Sequence, residues 1–224
     1  MLLACYLDGM ENALVIGASG GIGRAVMTEL TARGVTVTGL SRSGDGLDVT
    51  DESSVARILG DIEQRFDFIF VAIGVLGTPE KSLGAVTAAE MMHVFAVNAV
   101  GPALVLREVP RLLAKSGKVA VLSARVGSIG DNAIGGWYSY RASKAALNQI
   151  VHGASIELMR SDKEACVVAL HPGTVATSFT AKYAGRHKTM PADAAAKKLV
   201  DIITALTPSQ TGGFYDYAGE IVPW

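Results

Sequence analysis

Tyr140 and Lys144 stand four residues apart in the stretch WYSYRASK, residues 137–144. On a helix that spacing puts both on one face, one turn from each other. A free phenol has a pKa near ~10, too high for ready proton transfer at neutral pH. An ammonium beside it stabilises the phenolate and lowers that value. The pair therefore predicts a general acid/base, Tyr140, tuned by Lys144. Tyr138 lies six positions from Lys144 and cannot share that face. Tyr138 and Trp137 are expected either to line the mouth of a substrate pocket or to pack as aromatic core.

A second chemical feature lies near the start of the chain. GASGGIG (17–23) leaves a strand-like run and opens a helix. Gly17 permits the tight turn, Gly21 lets the backbone approach a pyrophosphate, and Gly23 lets the helix pack close to a sheet. The helix N-terminus offers free N–H groups and positive dipole to phosphates. Ser19 and Ile22 complete the expected cofactor loop. The next strand ends in LSRS, with Ser41 and Arg42. A carboxylate there would bond the ribose of NAD, whereas an arginine suits a 2′-phosphate. Asp45 lies further into the loop. The pattern points to NADP(H), with NAD(H) as the alternative and a solvated Arg42 as the competing reading. Lys144 would then also bond the ribose hydroxyls of the nicotinamide half.

Strands and helices must alternate to position these groups. ALVIGA (13–18) reads as a strand buried on both faces. A helix follows over 21–34, with Ile22, Val26, Met27 and Leu30 on one stripe and Gly34 as C-cap. Further strands are expected at 35–41, 47–49, 67–74, 118–124, 165–173 and 212–217. Thr50 is expected to cap the helix that Asp51 and Glu52 begin. Long helices are expected over 87–117, bent at Pro102 or Pro110, and over 139–160; Pro191 opens a last helix, 191–206. This alternation predicts an α/β fold: a single doubly wound Rossmann domain, residues 11–224, with a parallel sheet of about seven strands. Residues 1–10 read as an N-terminal extension.

The bulk composition narrows the function. Half of the 224 residues are apolar, 18% are charged and the net charge is −1. No basic run marks a nucleic-acid binder. No apolar run reaches the length of a membrane span. The LLAC at 2–5 leaves no room for a secretory leader before it. Cys5 and Cys166 form no disulfide framework and fit a reducing compartment. A cytoplasmic protein is expected. His93, His152, His171 and His187 lack metal-ligand spacing, so no metal is expected.

The glycine loop, Asp48-Val49, NAVG (98–101), Tyr140 with Lys144, and HPGTVAT (171–177) together resemble the short-chain dehydrogenase/reductase family over nearly the whole chain. GGWYSYRASKAALN and the ending GFYDYAGEIVPW are most similar to its bacterial C-factor-like branch. The resemblance implies that Asn98 sustains a proton-relay water beside Lys144 and that Asp48 and Val49 hold the adenine. It also implies that Pro172, Gly173 and Val175 meet the nicotinamide, that Thr177 reaches its carboxamide or the phosphates, and that Gly74 keeps the cofactor-loop glycine after the fourth strand. It implies a small carbonyl or alcohol substrate and a homodimer or homotetramer built on the two long helices.

Two features depart from the family. Val71-Ala72-Ile73-Gly74 replaces its Asn-Asn-Ala-Gly. In its Ser-x-x-Gly setting, anchored on Gly127, the serine that polarises the substrate carbonyl is Ala124. Ser128 is the expected substitute donor, with Ser123 second. Without a substitute, the chain would be a cofactor-binding signalling or regulatory protein with weak catalysis.

Overall fold

The chain is described here by a computed structural model that covers residues 9–181 and 189–224. Cys5 and His187 lie outside the described residues. In chain order the elements are β1 (Asn12–Ile16), α1 (Gly21–Ala32), β2 (Thr36–Leu40), the short α2 (Arg42–Asp45), α3 (Glu52–Gly60), β3 (Phe66–Val71), α4 (Ala88–Phe95), α5 (Gly101–Leu112), β4 (Leu113–Leu122), α6 (Tyr138–Ser161), β5 (Cys166–His171), α7 (Ala192–Ala205) and β6 (Phe214–Asp216).

The strands form one parallel six-stranded sheet in the order β2-β1-β3-β4-β5-β6. Parallel neighbours need crossover connections, and helices supply them on both faces. The alternation of side chains divides the core in two. Leu14, Ile16, Ile69, Val71, Val119 and Val121 face Val105, Leu147 and Val151 of α5 and α6. Ala13, Val15, Phe68, Phe70, Val168 and Leu170 face Val26, Leu30, Leu199 and Ile203 of α1 and α7. Both faces are buried, which is why these strands read as continuous apolar runs. The chain leaves β1 for β2 on one side and returns to β3 on the other. The crevice at that reversal, outside the strands' C-terminal ends, is where such sheets bind ligands.

The sequence reading needs three corrections. Residues 47–49 form no strand, so the sheet has six strands and not about seven. Local bonds take up that backbone: Leu47 N–H goes to Ser41 O, Asp48 N–H to Ser54 Oγ, and Asp48 Oδ1 accepts Thr50 N–H at 2.9 Å. The cap of α3 is Asp51, whose carboxylate accepts Ser53 N–H, rather than Thr50. The long helix ends at Leu112 instead of 117, because Leu113 already pairs with Phe66 of β3.

The helical stretch Ala88–Leu112 is also long and apolar enough to cross a membrane by length and composition. Its apolar residues include Val94, Val105, Leu106, Val109 and Leu112, all buried in the domain. Packing in the domain accounts for these residues, whereas Met92 and Val100 of the same stretch are exposed. Phe70 is fully buried at the centre of the α1/α7 face. Phe70→Ala is expected to destabilise the fold by about 3–5 kcal/mol, read as a lowered midpoint in denaturant unfolding.

Candidate active site

Tyr140 and Lys144 lie in the first two turns of α6, at the C-terminal end of the sheet. Tyr140 is 7% exposed and Lys144 3%. Lys144 Nζ donates to the Leu122 carbonyl at the end of β4, 3.0 Å away. The Tyr140 ring packs with Val94 and Ala124, edge-on to Trp137 at 6.2 Å and tilted to Phe179 at 6.1 Å. Burial pushes the two groups toward their neutral forms. The phenol is driven well above its ordinary value, and the ammonium falls to about 7. Desolvation opposes both charges and is the cause of both shifts. Trp137 lines the site beside Tyr140, while Tyr138 begins the helix.

Asn98 is fully buried and faces the same centre. Its side chain holds both polar atoms of Val75, accepting N–H at 2.7 Å and donating to C=O at 2.9 Å. It also donates to Ser143 Oγ at 3.0 Å, and Ser143 donates to the Tyr140 carbonyl. Asn98 sits in a π-helical turn, Ala96–Val100, between α4 and α5. Pro102 has no N–H for the Asn98 carbonyl four residues earlier, so the helix widens at Asn98. Gly74 fits between the two functional groups: a Cβ there would lie 3.3 Å from Asn98 Oδ1 and 3.4 Å from Lys144 Nζ.

Ala124 packs beside Tyr140. Ser123 is engaged with another residue of α6. Its hydroxyl donates to Asn148 Oδ1 at 2.5 Å, on the α6 side of the sheet. Ser128 Oγ accepts Asp131 N–H at 3.0 Å and closes the next turn. Neither hydroxyl bonds Tyr140.

The glycine loop has the tight approach expected of it. Gly17 has φ +91°, and a Cβ there would sit 2.3 Å from Ala72 O. A Cβ on Gly23 would meet Gly17 O at 2.3 Å, and one on Gly21 would meet Thr177 Cγ2 at 2.5 Å. Thr177 thus lies over the loop. Ile22 turns its side chain into the core, leaving its backbone to the loop. Beside the loop is a cavity of about 710 Å³, lined by Ser19, Arg24, Ser41, Ser43 and Asp45 among others. Ser41 is tied to Asp45, which accepts its N–H at 2.8 Å. Arg42 is exposed outside the lining, and Arg24 is the basic residue that sequence reasoning missed. It follows the last loop glycine, a position that marks it only once α1 is placed. The Asp48 carboxylate is held by Thr50, and Val49 packs on Gly101. Pro172 and Gly173 follow β5, with Gly173 against the Tyr217 ring, and Val175 bridges to Met190. A cradle that any Cβ would fill, next to a cavity at the end of β2, fits a dinucleotide. Among the described residues no cluster of His, Cys, Asp or Glu could hold a metal.

A family model of the short-chain alcohol dehydrogenase type, described as enoyl-(acyl carrier protein) reductase, matches residues 17–206. The chain belongs to the short-chain dehydrogenase/reductase family. It is 33% identical to 1-hydroxy-2-glutathionyl-2-methyl-3-butene dehydrogenase of Rhodococcus sp. (strain AD45), over 96% of this chain and all of that one. C-signal of Myxococcus xanthus is 37% identical over 64% of this chain and 84% of its own, bearing out the resemblance to the C-factor branch. A carbonyl reductase from Pseudomonas aeruginosa, solved in complex with NADP, superposes with a TM-score of 0.79 at 25% identity, over 96% of this chain and 100% of that one.

His171 closes β5 beside this short-chain dehydrogenase/reductase site, next to Ser123 in the sheet register. Its Nδ1 and the Asn148 Nδ2 are buried with no hydrogen-bond partner among the described residues. Burial lowers the His171 pKa to about 4, with Asp216 opposing and Arg125 assisting. Above pH ~6.5, the ordinary histidine value, folded and unfolded chains both hold a neutral ring. As pH falls from there to about 4, the unfolded chain takes a proton that the folded chain refuses, and stability declines. In His171→Gln, thermal melts across that window are expected to lose this descending limb.

Proposed function

We propose that this protein is an NADP(H)-dependent carbonyl reductase-like oxidoreductase with Tyr140 as general acid/base. The observation that carries the reading is the burial of Tyr140 and Lys144 on one face of α6, at the end of the sheet that holds the glycine loop. Several structural neighbours, the Pseudomonas carbonyl reductase among them, were solved with NADP or NADPH, which supports the cofactor. When bound, the nicotinamide supplies or takes up the hydride. The loop residues Gly17, Ser19, Gly21 and Gly23, with Thr177 above them, would hold the phosphates. Ser41 with Arg24 and Arg42 would hold the 2′-phosphate end. Pro172, Gly173 and Val175 would border the ring.

In the reducing direction the Tyr140 hydroxyl gives its proton to the substrate oxygen as negative charge develops there. Lys144, protonated, stabilises the phenolate left behind, and a cationic neighbour is what burial alone denies the phenol. Asn98 holds Val75 and Ser143 around this pair. Ser123 spends its O–H on Asn148, whereas Ser128 Oγ only accepts the Asp131 N–H and keeps its own O–H as a candidate donor to the carbonyl beside Tyr140. One missing donor of this kind costs about 10²–10³ in rate. The apolar walls at Leu76, Val126, Trp137 and Phe179 suit an apolar or aromatic carbonyl compound. Ala124 also favours a second reading, a cofactor-binding signalling protein of the same fold, and the likeness to C-signal agrees with it. A cytoplasmic location fits the first reading. A homodimer or homotetramer fits it too, with the exposed Val100, Ile156 and Met159 of the long helices as an apolar face.

NADPH oxidation over a panel of aldehydes and ketones tests the proposal. Tyr140→Phe is expected to abolish turnover while NADPH still quenches the protein's fluorescence. Ser128→Ala is expected to lower kcat by about 10²-fold by removing the substitute donor, Ser123→Ala to leave it unchanged, and Ala124→Ser to raise it by adding a donor. Cofactor binding without turnover in the wild type and in Ala124→Ser would favour the signalling reading. NADPH is expected to bind more tightly than NADH, and Arg24→Ala or Arg42→Ala to narrow that difference; equal affinities in the wild type would contradict the cofactor assignment.

A further inference from the structure

Glu80 is distant from Tyr140 in sequence, yet it is 5% exposed and lies against the start of α6. Its carboxylate accepts the Ser139 backbone N–H at 3.2 Å and the Ser139 hydroxyl in a short bond. Its own backbone carbonyl accepts the Trp137 N–H at 2.6 Å. One residue thus holds both sides of the helix entry.

That entry is unusual. Gly135, Gly136 and Trp137 have φ of +69°, +67° and +53°, three successive left-handed residues. The two glycines adopt this freely, but a bulky side chain does so rarely and only where its surroundings fix it. The turn sets the indole edge-on to the Tyr140 ring. It also sets the rotation at which α6 begins, and so the direction of Tyr140 three residues later. Trp137 supplies no side-chain cap to the helix, and Glu80 takes that place from across the fold. Asn98 makes a matching contact one turn on, through Ser143. Two buried side chains from the β3–α5 segment therefore grip the same edge of α6 at successive turns.

We propose that Glu80 is a positioning residue of the active site: its carboxylate and backbone carbonyl together hold the left-handed turn at Trp137 and thereby aim Tyr140 at the reacting oxygen. It touches neither cofactor nor substrate, and its contribution is geometry, not charge. A glutamine fits the same place, accepting Ser139 N–H through Oε1 and donating to Ser139 Oγ through Nε2. The proposal rests on the reading of Tyr140 as the acid/base, but one arm of its test does not.

The test compares Glu80→Ala and Glu80→Gln with wild type. Amide hydrogen exchange at residues 137–141 reads the clamp without substrate. It is expected to quicken in Glu80→Ala and return to the wild-type rate in Glu80→Gln, while exchange in the middle of α6 stays unchanged. In turnover, Glu80→Ala is expected to lower kcat by about 10²-fold with NADPH affinity and substrate KM unchanged, and Glu80→Gln to restore it. Unchanged exchange at 137–141 in Glu80→Ala would overturn the proposal. So would a kcat in Glu80→Gln as low as in Glu80→Ala, or a loss of kcat matched by equal losses in cofactor affinity and melting temperature. A wild type that binds NADPH but reduces nothing defeats the carbonyl-reductase reading alone, and hydrogen exchange then decides on the clamp.

Discussion

An ammonium with almost no access to water must be held by protein, and Lys144 is held by the carbonyl of Leu122. That bond joins α6 to the end of β4 at the level where the sheet opens toward a ligand. Gly127 presses against the backbone of the same lysine; a Cβ there would lie 2.8 Å from its carbonyl carbon. The turn after β4, the helix and the sheet end are therefore fixed relative to one another. Burial costs the charged forms of Tyr140 and Lys144 alike.

The other half of the site depends on the absence of side chains. Gly17 and Gly23 let backbone meet backbone at distances no Cβ allows, and Gly21 leaves room for the Thr177 side chain. The loop leaves β1 at the point where the strand order reverses, so the cradle faces the ends of β3 and β4. Asn98 joins the Val75 backbone to α6 through Ser143. The two halves share no long loop: each functional group stands on, or within a few residues of, a strand or helix end.

Much of this was legible in the sequence. The runs ALVIGA and DFIFVAIG gave away central strands because burial on both faces leaves no polar alternation. The four-residue spacing of Tyr140 and Lys144 is a local property and held as expected. What failed were features set by partners distant in sequence. The stretch 47–49 has the composition of a strand, but its polar backbone is taken by Ser41 and Ser54. Helical periodicity continued past Leu112, where pairing with Phe66 begins the strand. Glu80 and Arg24 carry no motif; only the fold brings one to α6 and the other to the cavity. The displaced serine was visible, but the partner of Ser123 was not, since Asn148 lies on a different element.

The central claim is that burial moves both Tyr140 and Lys144 toward their neutral forms. Carbon NMR of the lysine side chains, with the Lys144 signal assigned by its loss in Lys144→Met, measures this in the unliganded protein. The account predicts a titration midpoint near 7 for Lys144. A midpoint at the ordinary lysine value of ~10.4 would contradict it.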